Sequence, residues 1–129
     1  MKITPFLMFV GQAEEAMNFY MGVFPRSKVH RMEKYDETGP GKPGSIKTAV
    51  FEVSGTQIMC IDSPVPHAFS FTPSFSLFVD CQTGEEVDNL FQALSENGKV
   101  LMPLGNYGFS KWFGWTSDRF GVSWQLNLP

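Results

Sequence analysis

The sequence predicts an α+β fold of two βαβββ modules, forming a curved, mostly antiparallel eight-stranded sheet with its helices on the outer face. Three observations carry this expectation: a strand-to-helix pattern occurs twice, three more strand candidates follow each helix, and a proline-marked stretch lies between the copies. The domain reading is one domain over 1–129, with module 1 at about 1–63, a connector at 64–74 and module 2 at about 75–129.

The first copy opens with Phe6-Leu7-Met8-Phe9-Val10, an extended apolar run. Gly11 to Glu15 turns into a helix whose Ala16, Phe19, Tyr20 and Val23 recur at i, i+3, i+4 and i+7. Strand candidates follow at Lys28 to Tyr35, Ile46 to Val53 and Gln57 to Asp62. Asp36 to Ser45 is a Gly/Pro loop whose composition marks it as mobile, and Ser54-Gly55 is a two-residue hairpin turn. Pro64, Pro66 and Pro73 mark the connector.

The second copy opens with Phe75-Ser76-Leu77-Phe78-Val79, two residues out of step with the first in its spacing to the helix. An amphipathic helix on Val87, Leu90, Phe91 and Leu94 follows and ends at Asn97-Gly98. Both helices carry paired glutamates in the first turn, where the helix dipole favours negative charge. The last strands run over Val100 to Leu104, Trp112 to Thr116 and Val122 to Leu128.

Composition narrows the function classes. Hydrophobic residues are 43% and charged residues 18%, a globular balance. Aromatics reach 15%, with 13 Phe, and that many rings need a thick core or an apolar pocket. A net charge of −3 argues against a nucleic-acid partner, which needs a basic face. No apolar run reaches membrane-spanning length, and the short one at the start passes into an acidic helix rather than a signal-peptide cleavage site. The two cysteines, Cys60 and Cys81, form neither a disulfide framework nor a zinc spacing, so the expected setting is the reduced cytoplasm.

Several segments together resemble a known group. They are Ile3-Thr4-Pro5-Phe6-Leu7, Ala13-Glu14-Glu15-Ala16 with Phe19-Tyr20, Ile58 to Ser63, Asn97 to Val100, and Asp118 to Leu126. The sequence resembles the PhnB-like group of the vicinal oxygen chelate superfamily, also labelled 3-demethylubiquinone 3-methyltransferase. The superfamily includes glyoxalase I, extradiol dioxygenases and the bleomycin- and fosfomycin-resistance proteins. The resemblance implies the doubled βαβββ frame and leaves the chemistry open, because one frame hosts many reactions.

Metal-using members of the superfamily draw four ligands from the first and last strands of the modules. Carried over, those positions fall on Pro5, Ser74 or Ser76, Cys60 and Gln125. Proline has no ligating side chain, and serine and glutamine are weak neutral ligands. The expectation is therefore no metal and no cofactor. His30, between Lys28 and Arg31, and His67, in the connector, read as surface residues. There is no Gly-rich strand–turn–helix of the kind that holds a nucleotide-like cofactor.

Strand alternation assigns the ligand candidates. Taking Asp118 to Gly121 as a four-residue turn sets Trp115 opposite Trp124 and Gly114 opposite Gln125. Trp115 and Trp124 then face the helix, while Trp112, Gly114, Thr116, Ser123, Gln125 and Asn127 face a cup. Aligning the modules by Pro64 and Pro129 adds Cys60 and Asp62 to the cup, with Leu7, Phe9, Ser76 and Phe78. Asp62 is the candidate acid or base, or else the ion-pair partner of Lys47. Cys60 reads as a buried, inert thiol.

The expected function is metal-independent binding of a small, partly aromatic or amphipathic molecule in this cup by a homodimer. The alternative is an enzyme of the same superfamily (a lyase, isomerase or transferase) with Asp62 as acid/base.

Overall fold

A computed structural model describes residues 1–129. The chain forms two compact units, Met1–Ala68 and Phe69–Pro129.

The first unit contains β1 (Phe6–Phe9), α1 (Ala13–Val23), β2 (Lys28–Lys34), β3 (Ile46–Val53) and β4 (Thr56–Asp62). Its sheet has the order β1-β4-β3-β2, with β1 parallel to β4 and the other pairs antiparallel. Val53 pairs with Thr56 across Ser54-Gly55, whose φ values of 48° and 89° give the hairpin the twist that its strands need. The helix buries Ala13, Ala16, Met17 and Tyr20, a stripe shifted from the expected one so that Phe19 and Val23 lie at its margin. It packs on the face carrying Leu7, Phe9, Phe51, Ile58 and Cys60, where Tyr20 stacks on Phe51. The Gly/Pro loop after β2 is tied back by Tyr35 N–H to Ser45 O and Gly44 N–H to Tyr35 O. Gly41 lies flat on the buried Tyr35 ring, where a Cβ would collide with it.

The second unit repeats the plan with β5 (Ser76–Asp80), α2 (Gly84–Ser95), β6 (Lys99–Gly105), β7 (Trp112–Ser117) and β8 (Ser123–Leu128). Its order is β5-β8-β7-β6, with β5 parallel to β8 and the rest antiparallel. The expected stripe Val87, Leu90, Phe91 and Leu94 is the buried one. Its partners are Trp124 and Leu126, 2% and 0% exposed. Thr83 caps α2 by accepting from Glu86 N–H, and Asn97, at φ 58°, ends the helical course in the left-handed region.

The β7–β8 hairpin differs from its expected register by one residue. Ser117 pairs with Ser123, Thr116 with Trp124 and Trp115 with Gln125. The connection spans five residues, closed by Asp118 N–H to Val122 O and Gly121 N–H to Asp118 O. Buried Asp118 sets this length: its carboxylate accepts from the N–H groups of Phe120 and Val122 and from Trp124 Nε1. A one-residue slip moves every side chain of β7 to the opposite face. Neither helix is long and apolar enough to cross a membrane.

Candidate functional site

Each helix covers one face of its sheet and leaves the other open. The open face of β5, β8 and β7 carries Ser76, Phe78 and Asp80, then Ser123, Gln125 and Asn127, then Phe113 and Trp115. Ser123 Oγ meets Ser76 Oγ at 2.7 Å and accepts from Trp115 Nε1 at 2.8 Å. Asn127 Nδ2 donates to Asp80 Oδ1 at 2.8 Å, while the buried Asn127 Oδ1 has no hydrogen-bond partner. Beside these polar groups lies an aromatic cluster. Phe113 meets Phe109 edge-on at 4.9 Å and Tyr107 edge-on at 6.0 Å, and Phe78 lies 6.5 Å away. Phe78 and Phe109 are 55% and 64% exposed. Rings beside a few fixed donors and acceptors can hold a small molecule by burial and orient it by hydrogen bonds.

The predicted site residues divide between the two faces. Ser76, Phe78, Ser123, Gln125 and Asn127 come together on the open face. Trp112 and Thr116 do not: the register correction turns them toward α2. Trp112 Nε1 donates to Asp88 Oδ1 at 2.6 Å, and Thr116 Oγ1 accepts from Ser95 Oγ at 2.9 Å. Trp115, expected against the helix, is on the open face instead. The predicted cup residues missed Phe113, Trp115, Tyr107, Phe109 and Asp80 there.

In the first unit Leu7, Phe9, Cys60 and Asp62 are all buried on the α1 side, the reverse of their expected placement. Cys60 faces its helix, as Trp124 and Leu126 do and Gln125 does not, so Cys60 is not the counterpart of Gln125. Aligning the modules by Pro64 and Pro129 therefore puts these strands on the wrong face.

Asp62 is 3% exposed, and both of its oxygens are taken. Oδ1 accepts from Gly11 N–H at 2.8 Å and Ala13 N–H at 3.0 Å, and Oδ2 accepts from Ile46 N–H at 2.9 Å. Gln12 makes no side-chain cap, so Asp62 does from across the sheet what Thr83 does locally for α2. The carboxylate is thus a clasp joining the end of β4 to the starts of α1 and β3. Lys47, its other expected partner, pairs with Glu33 at 3.5 Å. Burial, with the nearby Asp62 charge, pushes the Cys60 thiol up to about 12, and burial, with Glu86, pushes Cys81 to about 11.

The open face of the first unit holds a groove of about 370 Å³ lined by Lys2, Thr4, His30, Arg31, Val50, Gln57 and Met59. Lys2 Nζ donates to Gln57 Oε1 at 2.6 Å, Gln57 Nε2 is 3.4 Å from His30 Nε2, and His30 Nε2 is 2.8 Å from Glu52 Oε1. His67 Nε2 lies 2.7 Å from Ser63 Oγ.

The chain matches a known family. Residues 1–127 fit the family described as 3-demethylubiquinone-9 3-methyltransferase. The chain belongs to this family. A PhnB protein from Bacillus cereus, described as a putative 3-demethylubiquinone-9 3-methyltransferase, is 55% identical with a TM-score of 0.96 over all of both chains. Protein PA1353 from Pseudomonas aeruginosa is 30% identical with a TM-score of 0.86, covering 99% of this chain and 97% of its own. Protein YjdN of Escherichia coli K12 is 27% identical over 99% of this chain and 95% of its own. The fosfomycin-resistance protein FosX of Listeria monocytogenes, described in complex with Mn(II), shares the fold at a TM-score of 0.71 and 13% identity, covering 100% of this chain and 92% of its own. The family is thus the PhnB-like group of the vicinal oxygen chelate fold.

A divalent cation, as in that FosX complex, needs several converging donors. No three His, Cys, Asp or Glu side chains converge in this chain. Cys60 and Asp62 turn away from the open face, one a protonated thiol and the other saturated by backbone amides. The residues present do not fit such an ion.

Proposed function

We propose that this protein binds a small, partly aromatic or amphipathic molecule, without a metal ion, on the open face of β5, β8 and β7. The observation that carries the reading is Asn127. Its carbonyl oxygen is buried and unpartnered beside exposed Phe78 and the Phe109–Phe113 cluster. A buried acceptor with no donor costs free energy, and a ligand N–H or O–H arriving over the rings would remove that cost. Ser76, Ser123 and Trp115 supply a second polar anchor on the same face. The same open faces leave Phe6 and Phe78 about half exposed, which supports a homodimer as the working form.

Thermal-shift screening of small aromatic amides and alcohols tests the binding reading. Hits should raise the melting temperature equally with and without chelator, and Phe78→Ala should weaken them. Shifts that disappear when metal is chelated would sink it. Calorimetry with S-adenosylmethionine separates it from the methyl transfer in the family description, since saturable heat there would favour a transferase. No observation favours Asp62 as an acid or base, because its oxygens already hold the backbone.

A further inference from the structure

The groove of the first unit owes its shape to an irregularity. Pairing between β2 and β3 jumps from Val29↔Phe51 to Arg31↔Val50, so His30 is an extra residue. In a regular strand neighbours point to opposite faces, but a bulge re-aims one of them. His30 and Arg31 accordingly both line the groove, joined by Lys2 from the chain start, over an apolar floor of Val50 and Met59.

The charges there are unequally matched. Glu52 takes His30, and Lys2 rests on the neutral amide of Gln57. Nearby carboxylates are engaged elsewhere, Glu52 by His30 and Glu33 by Lys47, and Arg31 has no carboxylate partner. A protein of net charge −3 thus aims an unpaired guanidinium and an ammonium into one cavity. A guanidinium presents parallel donors that fit paired anionic oxygens, and its neighbours Lys2 and Gln57 add more.

We propose that this groove binds an organic anion, with its carboxylate or phosphoryl oxygens on Arg31 and Lys2 and its apolar body on Val50 and Met59. The groove is lined by residues of the first unit alone and the aromatic face is built from residues of the second, so the two proposals fail separately.

Titration of the isotope-labelled full chain with benzoate, phenyl phosphate and neutral benzyl alcohol, followed by NMR, tests it. At least one anion should give saturable shifts at Arg31, Val50, Gln57 and Met59. Its affinity should exceed that of benzyl alcohol by about tenfold or more, the size of one charge-assisted contact. Which anion is tighter distinguishes carboxylate from phosphoryl recognition. Arg31→Ala, at an exposed position, should lose about tenfold, and Lys2→Ala should weaken binding in the same direction. Benzyl alcohol binding as tightly as the anions, shifts confined to other residues, no saturable anion binding, or both variants binding like the parent would each overturn the proposal.

Discussion

At the residue scale, Asp62 shows how a functional-looking side chain can be structural. A buried carboxylate in a small protein invites an acid/base reading, but its three backbone donors leave no acceptor face for a substrate. Asp62→Asn replaces one oxygen by an amide that must face an N–H. It should destabilise the fold by about 2–4 kcal/mol, read as a lower denaturant midpoint. An unchanged midpoint would refute the clasp. The cysteines give a second expectation. Their thiols ionise in the unfolded chain near the ordinary value of 9.0 but stay protonated in the fold to about 12 and 11. Above pH 9 the unfolded chain therefore binds fewer protons than the native one, and stability falls as pH rises from about 9 toward 11. The melting temperature of a Cys60→Ala, Cys81→Ala double variant should fall less steeply over that window. At pH 8 the native thiols should resist alkylation until the protein unfolds.

At the element scale, α2 and β7 meet at Gly114, where a Cβ would lie 2.7 Å from the Phe91 ring and 2.9 Å from Leu104. Gly114→Ala should cost about 1–3 kcal/mol by overpacking this contact. Gly22 offers the contrast. It lies inside α1 with nothing within 4 Å of its missing Cβ. Gly22→Ala should stabilise by about 0.5–1 kcal/mol, since helical Gly carries an entropy penalty that Ala lacks. Equal midpoints for the two variants would contradict the packing described. Helix identity was legible because Val87, Leu90, Phe91 and Leu94 repeat at the helical period against polar neighbours. Strand facing was less so. Phe6-Leu7-Met8-Phe9 and Ile58-Met59-Cys60-Ile61 are apolar at every position, so alternation cannot say which side meets the helix. In β8, where Ser123, Gln125 and Asn127 alternate with Trp124, Leu126 and Leu128, the faces were read correctly.

At the scale of the whole molecule, each unit leaves large apolar side chains uncovered. Phe6, Phe78 and Phe109 are 50%, 55% and 64% exposed. Single exposed apolar residues are ordinary, but Phe78 beside Phe109 of the β6–β7 connection makes a patch of the kind that meets something. The proposed homodimer predicts light scattering near twice 14.5 kDa at micromolar concentration. A species at the single-chain mass would refute it. The two ligand proposals also make contrary demands, since binding at the aromatic face should be insensitive to salt while the Arg31 groove should weaken as salt screens its charges.

The residues alone determined the doubled βαβββ plan, the two helices, the Ser54-Gly55 hairpin and the polar rail of β8. These follow from local periods and turn chemistry, which act over a few residues. Tertiary structure decided which face each apolar strand presents, the five-residue turn that Asp118 holds, and the bulge that sets His30 beside Arg31. Each of those depends on a pairing register between distant segments. A shift of one residue there inverts a strand while leaving its composition unchanged.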